Sequence, residues 1–257
     1  MQAIERPGRG PAIVFVHGFC QSSAYWAPSL ARVAQNGAHG LAPDLPGFGM
    51  SAHEPGPHTM EGYADALARF LSGRGLDRVV LVGGSMGGVV AQHFTLRHPQ
   101  RVERLLLVAT GAVTADPVRA LSKAAELEAA FWDENTVHPI VNGFFHRRPA
   151  PPDLAKYREI ALQASQPAAV SAARSNANSR TLEVLHKIDV PTHIIQGRHD
   201  RARTPEHGAI MQERINGSHL TVIEEAGHTP HLEQPERFHE IALPFLFVRP
   251  CSSATRT

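Results

Sequence analysis

The sequence predicts an α/β fold, a mostly parallel central sheet with helices on both faces and a helical insertion. Three observations lead there. Short, branched apolar runs at residues 13–16 and 79–82 have strand length and no polar alternation, as strands buried on both faces require. Segments with helical spacing separate such runs, and that alternation builds a parallel sheet. The pattern then breaks over residues 111–187, where Ala-rich helical stretches contain no strand-like run.

In chain order, residues 12–16 are the first buried strand and end in His17-Gly18. Trp26, Leu30 and Val33 recur at helical spacing within residues 26–36. Residues 38–42 are a short strand, followed by Pro43-Asp44-Leu45-Pro46-Gly47-Phe48-Gly49, whose prolines and glycines break any ladder. Met60, Tyr63, Ala64, Leu67, Phe70 and Leu71 share one helical face, with Thr59 as N-cap. A strand at 78–82 leads through Gly83-Gly84-Ser85-Met86-Gly87-Gly88 into a helix that Pro99 stops. Further strands are expected at 102–109, 192–196 and 219–223. Thr204 and Pro205 open a helix, and a closing helix runs from Pro235 to about Val248. Residues 1–110 and 188–248 thus form the core, 111–187 a lid over the carboxyl ends of the strands, and 249–257 a flexible tail.

The 257 residues suit one α/β domain. A formal net charge of +1 gives no reason to expect nucleic acid or an anionic membrane as partner. The apolar runs are too short to span a bilayer, and the amino terminus has no signal-type stretch. Cys20 and Cys251 are too few for a disulfide framework and have no metal-type spacing. A reduced cytoplasmic setting is therefore expected. The expected partner is a small-molecule substrate, bound by a monomer or homodimer with no cofactor and no metal.

The chemistry centres on Gly83-Gly84-Ser85-Met86-Gly87, a G-x-S-x-G turn between strand and helix. So sharp a turn strains the serine backbone and brings neighbouring chain close to Gly83 and Gly87, where side chains would clash. The hydroxyl is left exposed at a helix amino terminus, which favours negative charge. A phosphate loop is a poor rival, since no Lys-Ser or Lys-Thr pair follows the glycines. A serine needs a base. His228, in the loop after the last strand, is the first choice, and His231 is its local rival. The acid that orients the base is Asp200, just past a strand end, with Asp116 as alternative. The backbone amides of Met86 and Phe19 are the oxyanion donors, with Gly18 letting the loop bend inward. Cys20 reads as a small buried residue beside the pocket rather than a second nucleophile.

With these residues in place, the chain resembles the α/β-hydrolase superfamily along nearly its whole length. The resemblance rests on His17-Gly18-Phe19, on residues 44–51, on Gly83-Gly84-Ser85-Met86-Gly87-Gly88, on Gly197-Arg198-His199-Asp200 and on Gly227-His228. Residues 226–236 are similar to 3-oxoadipate enol-lactonases and meta-cleavage product hydrolases. The resemblance implies a serine hydrolase with a helical lid, a Ser85-His228-Asp200 triad and an acyl-enzyme, acting on a small ester or lactone. C–C hydrolysis of a diketone is the alternative, and a non-hydrolytic lyase, oxygenase or receptor on this fold a third. Serine at the turn argues against haloalkane dehalogenases and epoxide hydrolases, whose relatives carry aspartate there. The family usually carries a longer amino-terminal β-hairpin; here only about one strand's worth of chain, residues 1–6, stands before the His-Gly strand, so the sheet is expected to lack its first strand. In the lid, Phe131, Trp132, Phe144 and Phe145 are the expected apolar lining, and Arg174 is placed to pair a substrate carboxylate bidentately.

Overall fold

The computed structural model describes residues 1–247. Among them seven strands form one sheet in the order β1-β3-β2-β4-β5-β6-β7. They are β1 (Ala3–Arg6), β2 (Ala12–Val16), β3 (His39–Pro43), β4 (Val79–Gly84), β5 (Val102–Val108), β6 (Thr192–Gly197) and β7 (His219–Ile223). Strand β1 runs antiparallel to β3 at one edge, and every other pairing is parallel. The short amino-terminal segment thus supplies one edge strand, and no described strand lies outside it.

Successive residues of the central strands point to opposite faces. Val14, Leu81, Leu105 and Leu107 pack with Leu67, Val90 and Phe94 from α2 (Met60–Ser72) and α3 (Met86–Arg97). Ile13, Phe15, Val80, Val82 and Leu106 pack with Leu30 and Val33 from α1 (Ala27–Gln35) and with Phe238 and Leu246 from the closing helix (Pro235–Phe247). Each such fully buried side chain contributes roughly 1.5–3 kcal/mol relative to exposure. Strand β4 is buried at every position, which is why it reads as continuously apolar.

Local signals set most boundaries. Thr59 caps α2, its side chain accepting from the Gly62 amide. Pro205 opens α8 (Pro205–Arg214) as expected, but Thr204 makes no side-chain cap. Its hydroxyl meets His207 Nδ1 at 3.2 Å instead. Strand β4 runs two residues past its expected end, because Gly83 and Gly84 continue the ladder with Leu107 and Val108. Val248 and the expected tail, with Cys251, lie outside the described residues.

Between β5 and β6 lie α4 (Pro117–Ala129), α5 (Glu134–Asn142), α6 (Pro151–Leu162) and α7 (Gln166–Asn178). The two ends of this segment meet: Val113 forms a β-bridge with Arg180, and Thr181 N donates to Ala112 O at 3.1 Å. Val137, Val141, Phe144, Leu154 and Ala161 of the segment join Cys20 and Tyr25 in one apolar cluster. Helices α5 and α6 are therefore seated on the loop that follows β2. Among the described residues no helix is long and apolar enough to cross a membrane.

Candidate active site

The turn between β4 and α3 holds Ser85 at φ 52°, ψ −120°, a conformation that costs a non-glycine residue of order 1–3 kcal/mol. The surroundings over-determine it. Ser85 N donates to Val108 O at 2.9 Å, and Thr110 Oγ1 donates to Ser85 O at 2.6 Å. A Cβ on Gly83 would stand 2.4 Å from the Gly87 carbonyl oxygen, so the strand and the new helix can close together only over glycine.

Ser85 Oγ lies 2.7 Å from His228 Nε2, and His228 Nδ1 lies 2.7 Å from Asp200 Oδ2. The carboxylate accepts the Nδ1 proton, which leaves Nε2 as an acceptor facing the serine hydroxyl. Asp200 follows β6 and is 3 % exposed. Its other oxygen accepts from the amides of Ala202 at 2.8 Å and Arg203 at 2.9 Å. The three side chains come from the ends of β4, β6 and β7, which the parallel pairing brings to one edge of the sheet.

The two rivals go elsewhere. Asp116 caps α4 at the surface, accepting from the Arg119 amide at 2.9 Å. His231 is buried with its ring stacked on Trp26 at 4.0 Å between centroids. Burial, with the His239 and His228 charges, drives its pKa down to about 3, so it is held neutral.

The loop after β2 runs beside Ser85. A Cβ on Gly18 would stand 3.1 Å from Ser85 Cβ. Among the described residues neither the Phe19 amide nor the Met86 amide has an acceptor, so both are free to hold an oxyanion. The loop is braced by residues to which sequence reasoning assigned no such role. Gly18 N donates to Gln21 Oε1 at 2.9 Å, and Leu45 N donates to His17 Nε2 at 3.0 Å. His17 Nδ1 then donates to Gly18 O at 2.8 Å. Burial lowers the His17 pKa against the opposing pull of Asp44, consistent with a neutral ring. Asp44 itself accepts from the Ser23 amide at 2.5 Å and the Met50 amide at 2.8 Å. The available signal was the polar residues His17, Gln21 and Asp44 in otherwise apolar or turn-rich sequence.

Cys20 is fully buried, and burial pushes its thiol pKa well up, which leaves little thiolate to react. Phe144 lies with its ring 5.7 Å from the His228 ring. Phe145 stacks on Tyr157 at 5.5 Å and borders a cleft of about 280 Å³ with Arg147, Arg148 and Leu232, whose lining does not include Ser85. Trp132 packs partly buried in the same apolar cluster as Phe144. Two expectations need correction. Phe131 is 87 % exposed and does not line the interior. Arg174 forms a bidentate pair with Glu128, at 2.6 and 3.1 Å, on the outer surface between α7 and α4. A carboxylate of this chain already occupies the fork assigned to substrate.

The alpha/beta hydrolase family model matches residues 13–241. A pimeloyl-(acyl-carrier protein) methyl ester esterase of Neisseria meningitidis serogroup A is 34% identical over 77% of this chain and 64% of its own. The 2-hydroxy-6-oxo-2,4-heptadienoate hydrolase of Pseudomonas putida is 29% identical over 93% of this chain and 90% of its own. Among solved structures, a thermophilic esterase from Thermogutta terrifontis superposes with a TM-score of 0.86 at 29% identity, covering 95% of this chain and 92% of that one.

Proposed function

The chain belongs to the alpha/beta hydrolase family, and on that premise we propose that it hydrolyses a small carboxylic ester or lactone through Ser85, His228 and Asp200. One observation carries the proposal: the unbroken relay in which His228 sits 2.7 Å from both Ser85 Oγ and Asp200 Oδ2. The likeness to esterases in sequence and in structure supports the bond type.

In the proposed cycle His228 Nε2 takes the Ser85 proton as Oγ attacks the substrate carbonyl. The Phe19 and Met86 amides hold the oxyanion, each donor worth roughly two to three orders of magnitude in rate. Asp200 stabilises the imidazolium without itself taking the proton. The imidazolium gives its proton to the leaving alkoxide, and the acyl-enzyme remains. Water then attacks the acyl carbon while His228 takes its proton and returns one to Ser85. The acid leaves and the enzyme is restored. The cycle calls on no metal or organic cofactor. Residues 111–187 act as the lid, and their apolar face beside Phe19 and Phe144 takes the substrate's hydrocarbon part.

Hydrolysis of a C–C bond on the same triad is the second reading, favoured by the likeness to the Pseudomonas putida hydrolase. A fluorophosphonate probe and three substrates (an aryl ester, a lactone and a ring-cleavage diketone) test both. The expected outcome is covalent labelling and ester or lactone turnover, both lost in Ser85→Ala. Labelling with turnover of the diketone alone would give preference to C–C cleavage. No labelling of the folded protein would sink both.

A further inference from the structure

The loop carrying His228 presents three successive amides, and each is claimed by a group outside the tripeptide. Gly227 N and Thr229 N donate to the same oxygen, Glu233 Oε1, at 3.0 and 3.2 Å. The Thr229 hydroxyl donates there too, at 3.1 Å. The amide between them, His228 N, crosses to the helical segment and donates to Phe144 O at 2.9 Å. The second oxygen of Glu233 crosses the same boundary in return. Glu233 Oε2 accepts from His146 N at 2.7 Å and Arg147 N at 3.4 Å. One carboxylate therefore grips both chain neighbours of His228 and, with its other oxygen, the part of the helical segment that touches His228. The packing leaves no slack: a Cβ on Gly227 would stand 2.7 Å from His146 N and 3.2 Å from Glu233 Oε1. The His146 ring also stacks on His199, one residue before Asp200, with centroids 3.8 Å apart.

Resting on the hydrolase reading above, we propose that Glu233 is a positioning residue that clamps the His228 loop to residues 144–147, so that the imidazole faces Ser85 only while the helical segment is seated. An ionised acceptor suits this task, because bonds from amides to a carboxylate are shorter and stronger than neutral ones. A helical segment that lifts takes Phe144 O and the 146–147 amides with it. The base loop then loses its outer anchor, and the nucleophile loses its base. Chemistry is thereby tied to lid closure by backbone contacts, with no lid side chain needing to reach the serine.

Two variants test this beside the wild type. Glu233→Gln keeps one acceptor oxygen and turns the other side of the head group into a donor that faces donors. Glu233→Ala removes both arms. Wild-type labelling at Ser85 and ester turnover are measured first, and their failure would count against the hydrolase reading itself. With those in hand, the clamp predicts that kcat and the fluorophosphonate labelling rate fall together, roughly 10- to 100-fold in Glu233→Ala and less in Glu233→Gln, as for a misplaced catalytic group. KM should stay within about twofold. A lowered melting temperature with unchanged kcat and labelling rate would make Glu233 a merely structural residue and overturn the proposal. A rise in KM alone would overturn it as well. Should Glu233→Ala fail to fold, Glu233→Gln and Thr229→Val decide by the same readouts.

Discussion

A Cβ on Gly87 would stand 2.3 Å from the carbonyl oxygen of Val16. The first turn of α3, which follows Ser85 directly, thus rests on the end of β2, from which the loop of Gly18 and Phe19 departs. Gly87→Ala should push the two apart, cost about 1–3 kcal/mol of stability through overpacking, and lower kcat at least 100-fold. Gly73→Ala is the control, since its Cβ meets nothing closer than 3.5 Å. Equal activity and melting temperature in the two variants would contradict the contact.

Asp200 sets the tautomer of His228 by accepting from Nδ1 at 2.7 Å. Asn at this position can present its amide N–H to Nδ1, which places the ring proton on Nε2 and leaves no base facing Ser85. Asp200→Asn should lower kcat roughly 10³- to 10⁴-fold with little change in KM. Steady-state kinetics on the best ester decides, and a loss below about tenfold would remove Asp200 from the relay.

His231 should make the fold acid-sensitive. Its pKa falls from 6.5 to about 3 on burial, so between those values the unfolded chain binds the proton and the native one does not. Its contribution is complete above pH 6.5 and is lost as pH falls toward 3. By pH 5 the loss is about 2 kcal/mol. His231→Phe keeps a ring against Trp26 and should flatten this part of the stability profile, measured by denaturant melts from pH 7 to pH 4. Parallel profiles for the two proteins would show that His231 is not held neutral.

Arg174 and Glu128 pair at the surface, each holding the other's charge. Exposed pairs contribute little. Arg174→Ala should therefore leave turnover of neutral and carboxylated esters within about twofold of wild type. A selective loss on the carboxylated ester would restore the substrate-binding role first expected for this residue.

The parts of the site legible in sequence are those made by local sterics. The run before Gly83, the glycines around Ser85 and the helix after it all lie within residues 79–97, and the turn they form follows from that stretch alone. The choice of His228 over His231 was a matter of loop position, since three residues separate a ring facing Ser85 from one stacked on Trp26. Arg174 was misassigned because its partner lies 46 residues away on another helix. Glu233 carried no signal as a clamp, since its Oε2 contact reaches back 87 residues to an amide that any sequence would possess.

The order of residues along the chain is enough to specify the layered fold, the strained serine turn and the succession Ser85, Asp200, His228. Burial periodicity and backbone clashes act between near neighbours, so both are written in consecutive residues. Folding in space selects which carboxylate meets which imidazole, where Arg174 places its charge, and how residues 144–147 meet His228 and Glu233. Hydrogen bonds and ion pairs select partners by distance in space, and the folded sheet, rather than the chain, sets those distances.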